Sequence, residues 1–284
     1  MIEYILGFLG LLRVLQGVRF FLIKRKIKVH EPIVSDAEPY FNRVPGSNKI
    51  ALLIHGFTTS PKEFRGLSDY LANRGISSYA LLLPGHGTSP ERLSIIKHYQ
   101  WIEYVEQQIA MLSKEYNEIY LIGNSMGGNL ALICAPYSKR IKGIVTLGTP
   151  IIFQREKFGK YFLLPLIKSF KIFQDKRYKI KNKKKMMSEK TWSYQSVPLV
   201  SLNQLIKIVN LTKKILPSVK KPLLVMQVVR DHLVSKESSS YIISKSSSQT
   251  KRIVTIPESY HVFLVDKYAD YVNREIANFI SEGR

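Results

Sequence analysis

Cysteine and acidic residues are both scarce in this sequence. Cys134 is the only cysteine among the 284 residues, so no disulfide can form within the chain. This excludes a small secreted fold held together by disulfides and suits a reducing compartment, although it does not establish one. The six histidines form no cluster with cysteine or carboxylates at metal-ligand spacing, so we expect no metal site.

The shortage of acidic residues leaves a large positive net charge. The chain has 43 Lys and Arg residues against 21 Asp and Glu residues, a net charge of +22. Such a charge attracts a phospholipid surface, a nucleic acid or an acidic substrate, although a lysine-rich solvated surface explains it equally well. Nucleic-acid binding is disfavoured because the basic residues cluster in a segment without a recognised nucleic-acid-reading motif.

An apolar segment lies at the beginning of the chain. Residues 2–23 contain 14 Ile, Leu, Val and Phe residues, and a helix of this length covers roughly 33 Å, enough to cross a bilayer. Arg13 alone costs about 3 kcal/mol at the centre of a membrane, and Gln16 and Arg19 add to this. The segment therefore either spans the membrane or lies in its interface. A helix docked on the protein's own surface is a further alternative.

The flanks of this segment indicate where the rest of the chain lies. The segment begins with Glu3 and lacks a small-residue cleavage site, which disfavours a cleaved signal peptide. If it spans, the basic run at 24–28 (KRKIK) keeps the remainder of the chain in the cytoplasm. We expect residues 1–28 to form a membrane-associating helix with a basic flank that binds an anionic membrane surface. A soluble cytoplasmic protein is the alternative.

From Lys49 onward, short β-rich apolar runs alternate with longer amphipathic stretches. The predicted strands are 49–55, 77–83, 118–122, 141–147, 223–228 and 251–257, and the predicted helices are 62–73, 98–116, 127–135, 199–216 and 266–280. Several strands are apolar nearly throughout, as expected when helices cover both faces of a parallel sheet. The alternation predicts an α/β fold with a doubly wound, mostly parallel sheet, which we assign to residues 29–284.

The alternation lapses over residues 151–198. Residues 153–190 contain 13 Lys and Arg residues against three Asp and Glu residues, interleaved with aromatic residues and leucines. Structureless connections of this length are uncommon and are usually functional or disordered. We interpret 151–198 as a cap insert over the carboxyl edge of the sheet.

Gly123-Asn124-Ser125-Met126-Gly127 fits the G-x-S-x-G pattern of a nucleophile elbow. The turn from strand to helix is strained, and glycines on both sides of the serine keep neighbouring backbone clear. The pattern alone is weak, but here it directly follows a predicted strand and opens a predicted helix. Ser125 is therefore the predicted nucleophile.

A serine hydroxyl needs a base to take its proton, and the base needs an orienting acid. In an elbow-type fold the acid and then the histidine follow the serine along the chain. Asp231 follows one predicted strand and His261 follows the last, so both lie at strand ends. We predict that His261 is the base and Asp231 the acid.

The oxyanion of acyl transfer requires backbone N–H donors. His55-Gly56-Phe57 ends the first strong strand, where this fold supplies one donor, and the residue after the nucleophile supplies the other. We predict that the amides of Phe57 and Met126 form the oxyanion hole, and that His55 buttresses the loop.

These segments resemble those of bacterial carboxylesterases and monoacylglycerol lipases. The resemblance covers about residues 48–282 and is carried by His55-Gly56-Phe57, Leu83-Pro84-Gly85-His86-Gly87, Gly123 to Gly128, Gly148-Thr149-Pro150, Asp231-His232-Leu233-Val234 and Ser259-Tyr260-His261-Val262. It implies the α/β-hydrolase fold, an acyl-enzyme mechanism without a cofactor, and a short cap that forms much of the acyl pocket. The basic insert and the apolar N-terminal segment depart from the family pattern.

The predicted substrate is a hydrophobic, lipid-derived monoester such as a monoacylglycerol. A thioesterase or an acyltransferase with the same triad is the alternative. A catalytically inactive scaffold is disfavoured, because such proteins usually lose the serine or the histidine, and both are present here.

Overall fold

A twisted central sheet organises the fold. The computed structural model describes residues 31–154, 173–176, 191–229, 231–257, 261 and 263–282, with isolated positions between Tyr4 and Ile27. The strands are β1 (Tyr40–Asn42), β2 (Lys49–Ile54), β3 (Ser77–Leu81), β4 (Glu118–Asn124), β5 (Ile141–Leu147), β6 (Phe173–Asp175), β7 (Ser196–Pro198), β8 (Leu223–Val228) and β9 (Lys251–Ile256). Seven of them form one sheet in the order β1-β3-β2-β4-β5-β8-β9.

All pairings in this sheet are parallel except that of β1 with β3. The strands β2 and β4 occupy the middle, with Ile54 opposite Gly123 at their carboxyl ends. Their side chains are buried almost throughout, which explains the continuous apolar runs in the sequence. The carboxyl ends of β2 and β4 therefore lie side by side in the buried middle of the sheet.

Helices cover both faces of the sheet. The helices are α1 (Arg65–Ala72), α2 (Pro90–Ile95), α3 (His98–Glu115), α4 (Met126–Cys134), α5 (Leu199–Ile215), α6 (Glu237–Lys245) and α7 (Ala269–Glu282). Apolar residues of α1 and α7 pack in one core cluster, and those of α3, α4 and α5 pack in the other. The sheet is therefore a middle layer between two layers of helices, as predicted for a doubly wound α/β fold.

The predicted strands and helices agree with the structure within a few residues at their ends, but five described elements escaped prediction, namely β1, β6, β7, α2 and α6. β1 and α2 are only three and six residues long, too short to show a period. Helix α6 has the sequence ESSSYIISK, whose serines interrupt the apolar stripe that marks an amphipathic helix.

The predicted insert is described only at its ends and in one central strand. Strand β6 pairs with β7 in an antiparallel two-stranded sheet, whereas residues 155–172 and 177–190 lie outside the described residues. The cap and the domain bounds therefore stay predictions.

The predicted N-terminal helix over 1–28 lies mostly outside the described residues. The isolated positions that are described are largely helical, and Leu11, Val14, Val18 and Phe21 are each more than half exposed. Within the described part of the chain, no helix combines the length and the apolar character that crossing a bilayer requires.

Candidate active site

Ser125 lies at a sharp turn between β4 and α4. Its φ of 52° and ψ of −116° place a non-glycine residue in a strained conformation. The turn is held by the Ser125 amide, which donates to the Leu147 carbonyl at 2.7 Å. The side chain is half-buried, so the turn presents the hydroxyl at the carboxyl edge of the sheet.

The glycines around Ser125 are required by close backbone contacts. A Cβ at Gly127 would lie 1.9 Å from the Ile54 carbonyl oxygen, and one at Gly123 would lie 2.2 Å from the Gly127 carbonyl carbon. These distances are shorter than any non-bonded contact. Helix α4 can therefore approach the end of β2 only without side chains at these two positions.

The structure brings Ser125, His261 and Asp231 into one hydrogen-bonded chain. Nε2 of His261 lies 3.0 Å from Ser125 Oγ, and Nδ1 lies 2.6 Å from Asp231 Oδ2. Because the carboxylate accepts the Nδ1–H, the Nε2 lone pair faces the hydroxyl. The three segments predicted to meet, which lie far apart in sequence, therefore converge at this edge.

Asp231 is buried and ionised. Burial alone would raise its pKa, but the charge of His261, the hydrogen bond to it and two backbone donors hold the pKa below its usual value. The donors are the amides of Leu233 and Val234, which bond to Oδ1 at 2.8 and 3.1 Å. With one oxygen held by the backbone, the other is fixed toward the imidazole.

In the loop after β2, two amides have acceptors among the described residues and the amide between them does not. The Gly56 amide donates to Glu63 Oε1 at 3.1 Å, and the Thr58 amide donates to His86 Nε2 at 3.2 Å. The intervening Phe57 amide has no such acceptor in this part of the chain. Met126 is the first residue of α4, and an amide at that position has no intrahelical acceptor. Both predicted oxyanion donors are thus available for a ligand.

His55 and His86 support this loop as neutral rings. Burial lowers the pKa of His55 to about 4 and that of His86 well below its usual value. Each ring accepts a backbone N–H through Nε2, from Leu83 at 3.0 Å for His55 and from Thr58 for His86. The buttressing role predicted for His55 agrees with these contacts.

The last part of the predicted insert, around Tyr194, also contacts the loop. The Tyr194 amide donates to the Thr58 carbonyl at 3.0 Å. The Tyr194 hydroxyl donates to the Gly85 carbonyl at 2.8 Å and accepts from the Thr88 amide at 3.1 Å. The end of the predicted insert is thus hydrogen-bonded to the loops after β2 and β3 beside the site.

Sequence reasoning missed Glu63, which is 1% exposed. Ser60-Pro61-Lys62-Glu63 has the spacing of a capping box, in which the glutamate would bond back to the Ser60 amide. Instead, its Oε1 accepts hydrogen bonds from the Gly56 amide and from Asn124 Nδ2. An acidic residue within a few positions of an oxyanion loop is the available signal, but the sequence does not show which way it points.

Comparison with known proteins places the chain in a family. The profile of the family described as serine aminopeptidase, S33, matches residues 46–268. The carboxylesterase of Bacillus subtilis (strain 168) is 28% identical over 238 residues, which are 84% of this chain and 94% of that protein. The thermostable monoacylglycerol lipase of Bacillus sp. (strain H-257) is 31% identical over 241 residues, which are 83% of this chain and 90% of that protein. The predicted resemblance is confirmed.

Solved structures show the same fold at lower identity. The monoacylglycerol lipase of Paleococcus ferrophilus has a TM-score of 0.72 at 17% identity, over 87% of this chain and 100% of that one. A soluble variant of the monoglyceride lipase from Saccharomyces cerevisiae has a TM-score of 0.73 at 18% identity, over 86% of this chain and 91% of that one. Since the family profile covers well over half of the sequence, the chain belongs to the serine aminopeptidase S33 family of α/β-hydrolases.

Proposed function

We propose that this serine hydrolase cleaves hydrophobic carboxylic monoesters such as monoacylglycerols, with Ser125 as nucleophile, His261 as base and Asp231 as orienting acid. The observation that carries the proposal is the hydrogen-bonded chain of 3.0 Å from Ser125 to His261 and 2.6 Å from His261 to Asp231. The names of the two Bacillus relatives, a carboxylesterase and a monoacylglycerol lipase, support the choice of esters.

The first half of the reaction forms an acyl-enzyme. Ser125 Oγ attacks the ester carbonyl carbon while its proton passes to His261 Nε2. The carbonyl oxygen becomes an oxyanion that accepts hydrogen bonds from the Phe57 and Met126 amides. The tetrahedral intermediate then collapses, His261 protonates the departing alcohol oxygen, and the acyl group stays on Ser125.

The second half releases the acid. His261 takes a proton from water as the water oxygen attacks the acyl carbon, and the same two amides again hold the oxyanion. The bond to Ser125 Oγ breaks, and the proton on His261 returns to the serine. Ionised Asp231 stabilises the imidazolium in both halves.

Ser125→Ala tests the proposal. We expect kcat for a p-nitrophenyl ester to fall by about 10³-fold or more, with an unchanged unfolding temperature. The control is Ser113→Ala, which removes a partly buried hydroxyl bonded to Ser138 Oγ. Both serines precede the amino ends of β4 and β5, at the edge of the sheet opposite the site. A fluorophosphonate should label wild type and Ser113→Ala but not Ser125→Ala. Undiminished ester turnover by Ser125→Ala would end the assignment.

A chain-length series separates substrate classes. Monoacylglycerols and p-nitrophenyl esters with acyl groups of increasing length should be hydrolysed with higher kcat/KM than the matching acyl-CoA thioesters. If thioesters are the better substrates, or if acyl transfer to added alcohol outruns hydrolysis, the alternative of a thioesterase or acyltransferase replaces the proposal.

An anionic membrane surface is the proposed source of substrate, with the catalytic domain on the cytoplasmic side. The support is the net charge of +22 and the exposed apolar side chains of the N-terminal segment, where Leu11, Val14 and Val18 are 58%, 62% and 52% exposed. An apolar segment and basic residues together give two-signal attachment, with about 1 kcal/mol from each basic residue near the surface.

Flotation with vesicles tests this attachment. The full chain should float with phosphatidylglycerol-containing vesicles and bind phosphatidylcholine vesicles more weakly. The variant Val14→Asp/Val18→Asp should lose most of this binding. The control Tyr99→Asp/Tyr137→Asp adds the same charge at side chains that are 51% and 50% exposed elsewhere, and it should still float. Equal flotation of both double variants would contradict attachment through the N-terminal segment.

A further inference from the structure

Glu63 joins the two loops that carry the proposed oxyanion donors. Its Oε1 accepts from the Gly56 amide at 3.1 Å and from Asn124 Nδ2 at 2.9 Å. Gly56 directly precedes Phe57, and Asn124 lies two positions before Met126. One oxygen atom is therefore bonded next to both halves of the oxyanion hole.

We infer that Glu63 is a positioning residue, which sets the distance between the Phe57 and Met126 amides by holding both loops on one carboxyl oxygen. The inference rests on the proposed function, since the two amides matter only if they bind an oxyanion. Glu63 itself contacts no reacting atom in this account.

The two loops need such a restraint because both are strained where they meet. Thr58 and Ser125 have φ values of 65° and 52°, in the left-handed region that non-glycine residues seldom adopt. A Cβ at Gly56 would lie 3.4 Å from both the Asn124 carbonyl oxygen and Ser125 Cβ, so the loops are in direct contact. Strained loops in contact can separate unless a bond spans them, and small misplacements of catalytic groups are costly in rate.

The turn that carries Glu63 is itself firmly anchored. It is a single 3₁₀ turn, Pro61–Phe64, whose Lys62 amide donates to Ser60 Oγ. The Lys62 ammonium pairs with Asp36 at 2.8 Å, and Phe64 is fully buried in the core. The carboxyl oxygen is therefore a fixed point, and the two loops are positioned relative to it.

Burying a carboxyl group costs free energy that packing alone does not explain. Within the described residues its second oxygen, Oε2, has no hydrogen-bond partner although it is buried. Burial raises the pKa of Glu63 to about 7, against which the bonds from Asn124 and Gly56 act. An apolar side chain of similar size would avoid this penalty but could not accept the two N–H donors. The acceptor oxygen is what the site gains.

Glu63→Ala and Glu63→Gln separate positioning from packing. Glutamine keeps a carbonyl oxygen that accepts from both donors, whereas alanine removes it. For a short p-nitrophenyl ester we expect Glu63→Ala to lower kcat by about 10²-fold with KM nearly unchanged, and Glu63→Gln to stay within a few-fold of wild type. The control is Ser68→Ala on the neighbouring helix α1. This variant removes a buried hydroxyl that is bonded to Ser78 Oγ on β3 at 2.7 Å.

A boronic acid supplies a readout of the oxyanion hole itself. Its tetrahedral adduct with the proposed serine places an oxygen where the oxyanion forms. The inhibition constant should rise in Glu63→Ala by a factor close to the loss of kcat, and should stay near the wild-type value in Glu63→Gln and Ser68→Ala. A structural defect alone would lower the amount of active enzyme without changing this constant.

Several outcomes decide against the inference. Wild-type kcat in Glu63→Ala overturns it, and so does an equal loss in Glu63→Gln, because that variant keeps the acceptor. If Glu63→Ala does not fold, Asn124→Ala takes its place and should lower kcat and weaken boronate binding together. No change in either quantity for Asn124→Ala also overturns it. Failure of the proposed function is distinguishable, since Ser125→Ala would then retain activity.

Discussion

Replacing Glu63 by glutamine should change how the stability of the protein depends on pH. In the folded protein, burial raises the pKa of Glu63 from 4.5 to about 7. An unfolded chain loses this proton near pH 4.5, whereas the folded chain keeps it up to about pH 7. The folded state therefore binds more protons in this interval, and the free energy of unfolding falls as the pH rises through it.

The magnitude follows from the interval. At 1.36 kcal/mol per pH unit, the range from 4.5 to about 7 corresponds to about 3 kcal/mol that wild type loses between acid and neutral pH. The glutamine side chain cannot ionise, so the Glu63→Gln variant does not lose it. Two basic groups face Glu63, namely His261 and Lys176. Their charges favour the ionised carboxylate and act against the effect of burial. The variant should therefore gain stability relative to wild type, by up to about 3 kcal/mol over the whole interval, as the pH rises from the unfolded pKa to the folded one.

Equilibrium urea unfolding, followed by tryptophan fluorescence at several pH values from about 5 to about 8, measures this difference. The control is Glu115→Gln, which changes an exposed carboxylate paired with Arg43 at 2.7 Å. Its difference from wild type should stay small and nearly constant over the same range. A Glu63→Gln difference that is flat, or that falls with pH, would refute the conclusion that burial keeps Glu63 protonated.

Three further predictions concern other parts of the site and its support. Asp231→Asn should lower kcat by about 10³- to 10⁴-fold in ester hydrolysis with little change in KM, because the imidazole loses its orienting charge. Gly127→Ala would place a Cβ 1.9 Å from the Ile54 carbonyl oxygen, so soluble yield and the urea midpoint should both collapse. Cys134 is fully buried, and burial raises the pKa of its thiol. A disulfide reagent should therefore label this thiol only after unfolding, and the absorbance of the released reagent group measures the labelling.

The sequence predicted the sheet and the meeting of Ser125, Asp231 and His261 because both depend on local patterns. Parallel strands buried on both faces appear as apolar runs, and their carboxyl ends share one edge of the sheet. A residue that directly follows such a run is thereby located in space. The chain order of serine, acid and histidine added a second constraint, and together they placed three segments separated by up to 136 positions.

The contacts of Glu63 and of Tyr194, which lies near the end of the predicted insert, could not be predicted in the same way. Glu63 lies within the 3₁₀ turn Pro61–Phe64 and does not directly follow a strand, so its position in the sequence does not locate its side chain. Tyr194 is far in sequence from the residues it contacts, since its hydrogen bonds to Gly85 and Thr88 span 109 and 106 positions. Such long-range hydrogen bonds follow from tertiary packing, which the local spacing of apolar residues in the sequence does not predict.

The strain in the site explains why it lies between β2 and β4. Among the described non-glycine residues only Asp36, Thr58 and Ser125 have positive φ, and the last two lie in the turns that follow these strands. Each strained residue costs about 1–3 kcal/mol and persists only where its surroundings over-determine it. The two strands are buried almost throughout and pair in register with one another. The paired strands hold both turns at the centre of the sheet, and the Glu63 carboxyl accepts hydrogen bonds from Gly56 and Asn124 at these turns. The two amides that we propose as oxyanion donors are therefore held in place before a substrate binds.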